Sequence, residues 1–240
     1  MCSGDAEDTG AVRPDSDDLA EIRRLLLSWW ERNQRSFPWR ETRNPWHILL
    51  AEVLLHRTRA DQVVPVYRIM VEKFPDPDAL MRSPAGELES IVHPLGLRWR
   101  VPLLREMARQ IVQRYGGKIP EEKEALRSLA GVSDYIAGAV RCFASGLPEP
   151  LLDTNTVRVL GRIRGWPISD GSRRSRHFHR LMQEFVDCAD PRSAVLALLD
   201  LAALVCRPRN PECGKCPLRD LCQFGRTHGN TKRDSGSAGP

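Results

Sequence analysis

The sequence predicts an all-α protein, and three observations carry the prediction. Apolar residues recur at helical spacing in ten separate segments, no run of alternating β-branched residues competes with them, and the connections are short and marked by Pro or Gly, as in FPDPD, HPLG, YGGKIP and SGLPEP. Spacing of about 3.6 residues puts one apolar stripe on a helix, whereas a half-buried strand alternates. Pro and Gly end one helix and turn the chain into the next. In the first segment, residues 19–33 (LAEIRRLLLSWWERN), Leu19, Ile22, Leu25, Leu26, Trp29 and Trp30 share a face behind Asp and Ser residues suited to capping. Similar patterns predict helices over 46–57, 61–73, 86–92, 100–114, 122–129, 134–144, 153–163, 175–187 and 191–205. There is no internal repeat at a fixed period.

At 240 residues the chain can bury a substantial core in one large domain or two interlocked lobes. No apolar run reaches the roughly 18 residues that a membrane span requires. The opening, MCSGDAEDTGAVRPDSDD, is acidic and polar and reads as a disordered tail over residues 1–18 rather than a targeting signal. GRTHGNTKRDSGSAGP, at the other end, is Gly- and Ser-rich, and residues 226–240 read as a second disordered tail. The net charge is +5, but residues 1–18 hold six acids against Arg13 alone, so residues 19–240 carry +10. A polyanionic partner such as nucleic acid fits that excess, as does an ordinary solvated arginine-rich surface.

Four cysteines near the C-terminus, Cys206, Cys213, Cys216 and Cys222, are spaced C-x6-C-x2-C-x5-C in CRPRNPECGKCPLRDLC. This stretch has too little apolar sequence to order itself. Four thiolates within 17 residues can close around a tetrahedral zinc or a cubane iron–sulfur cluster. Disulfides are disfavoured, because no secretory signal opens the chain and a C-x-x-C loop in an intracellular protein usually means metal or redox chemistry. Zinc sites usually pair two C-x2-C knuckles, and only Cys213 and Cys216 form one here, which favours the cluster.

Leu129-Ala130-Gly131-Val132-Ser133 lies between two predicted helices. A tight Gly-containing hairpin there directs backbone N–H groups and the positive end of the second helix outward, as a phosphate seat would; a plain helix–helix corner has the same signature. Tyr135 follows on the first turn of the second helix, and Asp153 comes 18 residues later at the head of LLDTNTVRVLGRI. Asp at such a position also serves as an N-cap.

Together, the Gly-Val hairpin with a key residue at its exit, the Asp in a D-x-N-x-x-R-V context and the terminal cysteines resemble the helix-hairpin-helix DNA glycosylases of the endonuclease III and MutY superfamily. The match runs from about Trp29 to Cys222. FPWRETRNPWHILLAEVLL looks like the opening of the adenine-specific branch, and LLDLAALVCRP like its approach to the cluster. The resemblance implies a four-iron four-sulfur cluster on the cysteines. It also implies two helical lobes: a six-helix barrel-like lobe with the helix-hairpin-helix over 45–153, and a cluster lobe made from the N- and C-terminal segments 19–44 and 154–225.

The hairpin exit separates the branches. Lysine there could form an imine at the sugar C1′ and lead to strand cleavage. Tyr135 cannot, which implies a monofunctional enzyme. Tyr at this place, and LLHRTRADQV with Arg57-Thr58 where MutY usually has Gln-Thr, resemble the Mig-type thymine mismatch glycosylases. Only 18 residues follow Cys222, so the separate 8-oxoguanine-reading domain of MutY is not expected. By resemblance Asp153 faces the oxocarbenium ion and the attacking water, Glu52 hydrogen-bonds the flipped base, His56 is the inserted plug and Leu97 the wedge, with Arg57, Gly131 and Ser133 on the DNA. A Glu in the apolar run AEVLL needs a partner if buried, which favours a site role. Ala130 stands for the usual Pro, Ser133 for the second Gly, and Asp134 adds a negative charge, changes that imply weaker phosphate binding. The implied reaction is excision of thymine or uracil opposite guanine, with adenine second, a modified cytosine third and a non-enzymatic DNA-binding module the alternative class. The implied setting is a monomer on double-stranded DNA, away from membranes, in the cytoplasm of a prokaryote and associated with its nucleoid.

Overall fold

The computed structural model describes residues 16–228. Twelve α-helices run in order: α1 Ser16–Trp30, α2 Pro45–Leu55, α3 Ala60–Lys73, α4 Pro77–Arg82, α5 Ala85–Val92, α6 Val101–Tyr115, α7 Lys123–Arg127, α8 Asp134–Ser145, α9 Thr154–Arg164, α10 Arg176–Val186, α11 Pro191–Leu204 and α12 Gln223–His228. There is no strand among the described residues. The all-α expectation holds, and the ten predicted segments are helical, mostly to within two residues. The exception is the first, predicted over 19–33, which starts and ends three residues earlier, at Ser16 and Trp30.

Helix α2 is central. The Asn44 side chain caps it by accepting from the Trp46 and His47 N–H groups, Pro45 occupies its first position, and Trp46 and residues 48–54 are all buried. It packs against α8 and α3, while α4 lies on α6 and α7 on α8. A second set of contacts joins α1 to α10 and α11, and α9 to α10, α11 and α12; α11 also touches α8. Asp200 fastens α11 to the chain before α2. With its side chain fully buried, it accepts from Trp30 Nε1 at 2.8 Å, Arg35 Nε at 2.6 Å and Arg40 Nη1 at 2.7 Å. Its neighbours keep the carboxyl ionised: burial pushes the pKa up, but Arg40 and Arg35 hold it below its ordinary value.

Two expectations about the termini are corrected. Residues 16–18 belong to α1 rather than to an acidic tail. Residues 226–228 close α12 instead of opening a tail: Gly225 packs so tightly on the Arg219 backbone that a Cβ would meet its oxygen at 2.9 Å, and Phe224 lies beneath the Arg162 guanidinium at 4.7 Å. The rest of both segments, 1–15 and 229–240, lies outside the described residues.

Candidate functional site

The α2–α8 packing and the chain leading into α9 converge on a cavity of about 620 Å³, lined among others by Glu52, Tyr135 and Asp153. That volume lies within the usual range for small-ligand pockets. Glu52 comes from the middle of α2 and is only 9% exposed. Among the described residues its carboxyl has no hydrogen-bond partner. Burial first, then the negative charge of Asp153, raise its pKa to about 7 against the pull of Arg40, so near neutral pH the group is substantially protonated and can donate. The Tyr135 phenol is pushed well above its ordinary value by burial, then by Glu52 and Asp153, and stays neutral.

Asp153 is both a cap and a cavity residue. Its Oδ1 accepts from the Asn155 and Thr156 N–H groups at 2.8 and 2.7 Å, and its own N–H donates to Thr156 Oγ1 at 2.9 Å, a reciprocal capping box on α9. Oδ2 accepts from Asn155 Nδ2 at 2.9 Å, and Arg158 holds Asn155 in turn by donating to its Oδ1.

The hairpin forms as a tight corner. Gly131 has φ +78, a left-handed conformation that favours glycine, and an added Cβ would touch Leu103 Cβ at 3.4 Å. Ala130, in place of proline, has an N–H to satisfy and donates it to Gln110 Oε1 at 2.8 Å. The Ser133 hydroxyl caps α8 by accepting from Ile136 N at 3.3 Å. Asp134 sits 3.5 Å from Arg127 and 3.8 Å from Lys123, so its charge at the head of α8 is partly balanced.

His56 and Arg57 follow α2 at the cavity mouth. Arg57 adopts φ +64, which costs a non-glycine residue roughly 1–3 kcal/mol and re-aims the chain there. Leu97 does not occupy the exposed position expected of a wedge. Gly96 turns the chain at φ +67, Leu97 packs into the core at 5% exposure, and the ring left outside is Trp99, 58% exposed. Arg40, Arg100, Trp99 and Asn155 are site neighbours that the sequence reading missed; the unusual Arg98-Trp99-Arg100 cluster is the one signal that could have raised two of them.

The four cysteines lie beyond α11. Arg162 donates to Cys206 Sγ at 3.4 Å and to the Arg207 and Pro208 carbonyls, and the Gly225 N–H donates to Cys222 Sγ at 3.4 Å. Burial drives the Cys216 thiol to about 12; the Leu218 backbone opposes this, and the other three cysteines add to it, so the four sulfurs share one electrostatic neighbourhood. No three of them crowd closely enough for a single metal ion among the described residues. Four soft donors with N–H groups aimed at sulfur suit an iron–sulfur cube. Bound by Cys206, Cys213, Cys216 and Cys222, such a cube would supply a rigid charged core that organises the loop.

Residues 50–185 match the HhH-GPD superfamily of base excision DNA repair proteins, and the chain belongs to that family. Residues 206–222 match the iron–sulfur binding domain of endonuclease III, and the four-iron four-sulfur cofactor is assigned to this segment. Among similar proteins, a thymine-DNA glycosylase of Aeropyrum pernix is 38% identical over 218 residues, 88% of this chain and 96% of that one. A thymine/uracil-DNA glycosylase of Pyrobaculum aerophilum is 36% identical over 216 residues, 86% and 93% of the two chains. The solved structure of a thermostable thymine-DNA glycosylase superposes with a TM-score of 0.83 at 32% identity, covering 88% of this chain and 98% of that one. DNA is the partner this family acts on, and no described helix is long and apolar enough to cross a membrane.

The buried Glu52 carboxyl has a measurable consequence. Because its pKa is raised above the unfolded value near 4.5, the folded protein keeps a proton that the unfolded chain gives up. The associated stability is complete below about pH 4.5 and is lost as pH rises through about 7. The Glu52→Gln variant cannot ionise and escapes a loss on the order of 3 kcal/mol. It is expected to melt close to wild type at pH 5 and several degrees above it at pH 8. Equal melting temperatures at pH 8 would show that Glu52 is not held in this buried state.

Proposed function

We propose that the protein is a monofunctional DNA glycosylase that flips thymine or uracil mispaired with guanine into the cavity and hydrolyses its glycosidic bond. The convergence of Glu52, Tyr135 and Asp153 carries the reading, since one cavity then offers a neutral acid, a neutral phenol and a carboxylate. Asp153 faces the positive charge that builds on the sugar ring and accepts a proton from the attacking water as its oxygen bonds to C1′. Protonated Glu52 donates to a carbonyl oxygen of the pyrimidine, stabilising the departing base as the bond electrons move onto it. His56 enters the vacated stack, Arg57, Gly131 and Ser133 hold the backbone on either side, and the N–H groups at the start of α8 face a phosphate.

Support for the pyrimidine comes from the relatives named thymine- and thymine/uracil-DNA glycosylases. The reading includes a monomer working on duplex DNA and a barrel-like lobe over 45–153 beside a cluster lobe over 19–44 and 154–225. It places the protein in a prokaryotic cytoplasm with the nucleoid, in keeping with archaeal relatives. A panel of duplexes carrying thymine, uracil, adenine or modified cytosine opposite each base, followed by alkali, tests the substrate. Release of adenine alone would overturn it.

No lysine lines the cavity among the described residues. Base release is therefore expected to leave an abasic strand that breaks only after alkali or heat, and borohydride is expected to trap no covalent complex. Efficient trapping of the wild type would contradict the monofunctional reading. Tyr135→Lys, which puts an amine beside C1′, is expected to become trappable.

A further inference from the structure

We infer that Arg100 is a positioning residue that fixes His56 as the neutral tautomer protonated on Nε2, and thereby selects guanine as the base opposite the excised one. The inference rests on the proposed base-flipping reading, which leaves an unpaired base beside His56.

Arg100 ends the short turn Arg98–Arg100 that leads into α6 and is 5% exposed. Its Nη1 donates to the Val53 carbonyl in the last turn of α2, its Nη2 meets His56 Nδ1, and its guanidinium lies over the Trp99 ring at 4.6 Å. A guanidinium has donors only and keeps its proton. Nδ1 must therefore accept, and the ring's single proton sits on Nε2. Because the same guanidinium also grips α2 one turn before His56, the plug and its clamp share one rigid reference.

The remaining surroundings agree. Burial, then Arg100, then Arg57 lower the His56 pKa against the smaller opposing pull of the residue's own backbone, so the ring stays neutral rather than becoming a cation with two donors. Arg100 Nε is buried without a partner, so the side chain gives up one hydrogen bond to make the two Nη contacts. His56 is exposed on the ridge between the main cavity and a cleft of about 190 Å³ lined by Trp99, Leu103 and Gly131. What it presents to an inserted site is one donor, Nε2–H. On the Watson–Crick edge guanine presents the O6 acceptor where adenine presents its N6 amino donor; a ring clamped to α2 by Arg100 meets that one position and is kept from sliding to the adenine N1 acceptor, so the fixed donor pairs with guanine and meets a donor on adenine.

Nitrogen-15 NMR of the cluster-loaded protein, with His56→Gln to assign the ring, reads the tautomer directly. The expected result is Nε2–H for wild type and a mixture in Arg100→Met. Binding is then measured to duplexes holding a tetrahydrofuran abasic analogue opposite guanine or adenine, where base-pair strength cannot interfere. Wild type is expected to prefer guanine about tenfold. Arg100→Met and His56→Ala are each expected to lose most of that preference, and the double variant no more than either alone. An Nδ1–H tautomer in wild type, absence of a guanine preference, or retention of it in Arg100→Met would overturn the inference. The first two do not depend on Arg100→Met, so they decide the matter even if that variant does not fold. Excision of thymine without any dependence on Arg100 would sink this inference and spare the function. A correct tautomer and guanine preference in a protein that excises nothing would support the inference and sink the glycosylase reading.

Discussion

Replacing Asp153 with Asn is expected to leave a folded, cluster-bearing protein that binds mismatched DNA and excises its base at a rate lower by a factor of about a hundred or more. The two roles of Asp153 separate in this variant. As a cap, Asn can still accept the Asn155 and Thr156 N–H groups through its oxygen, and Asn caps about as well as Asp. What changes is the other atom: the new amide faces the Asn155 amide, donor against donor, while Arg158 keeps Asn155 from turning over. One lost hydrogen bond costs about 1 kcal/mol, which is a fall of roughly 2–4 °C in melting temperature for a chain of this size. The loss of charge is far more damaging, because no carboxylate then faces the oxocarbenium ion. Single-turnover excision measured beside thermal melting resolves the two effects. Excision within a few-fold of wild type would reduce Asp153 to a cap and remove the centre of the proposed mechanism.

The sequence was most legible where chemistry and local pattern coincided. A carboxylate inside AEVLL and a Tyr one residue into a helix after a Gly hairpin are local anomalies, and they do meet in one cavity. Asp200 shows the limit. It stood in a recognised stretch, but its partners Trp30, Arg35 and Arg40 lie 160 or more positions away, a distance that no periodicity spans. Helix α4 was read as a connection because Asp76-Pro77 carries turn residues; those same residues are an N-cap, accepting from Ala79 N, and a first-position proline. Leu97 was expected at the surface as a wedge, yet it is buried while Trp99 two residues on is exposed, and the run LRWR has no periodicity that tells which of the two faces outward. Arg100 was invisible as a partner of His56 because 44 residues separate them.

Removal of any one of Cys206, Cys213, Cys216 and Cys222 is expected to abolish the broad absorption at about 400 nm that thiolate-bound iron gives, and to unfold the segment that carries it. Little else orders residues 206–222: Leu218 and Cys222 are the buried apolar side chains of the stretch, and the arginine side-chain contacts from α9 reach only its first three residues. Without iron–thiolate bonds α12 is expected to lose its seat on α9 as well. Trypsin is then expected to cut readily at Arg207, Arg209, Lys215 and Arg219 in a Cys213→Ala variant while leaving the same sites protected in the cluster-loaded wild type. Cys142 is buried in the core and Cys188 lies before α11, both away from the cluster loop, so Cys142→Ala and Cys188→Ala are expected to keep the full colour. Colourless wild-type protein with one zinc per chain would refute the assignment, because the same four thiolates would then be closing on a single ion.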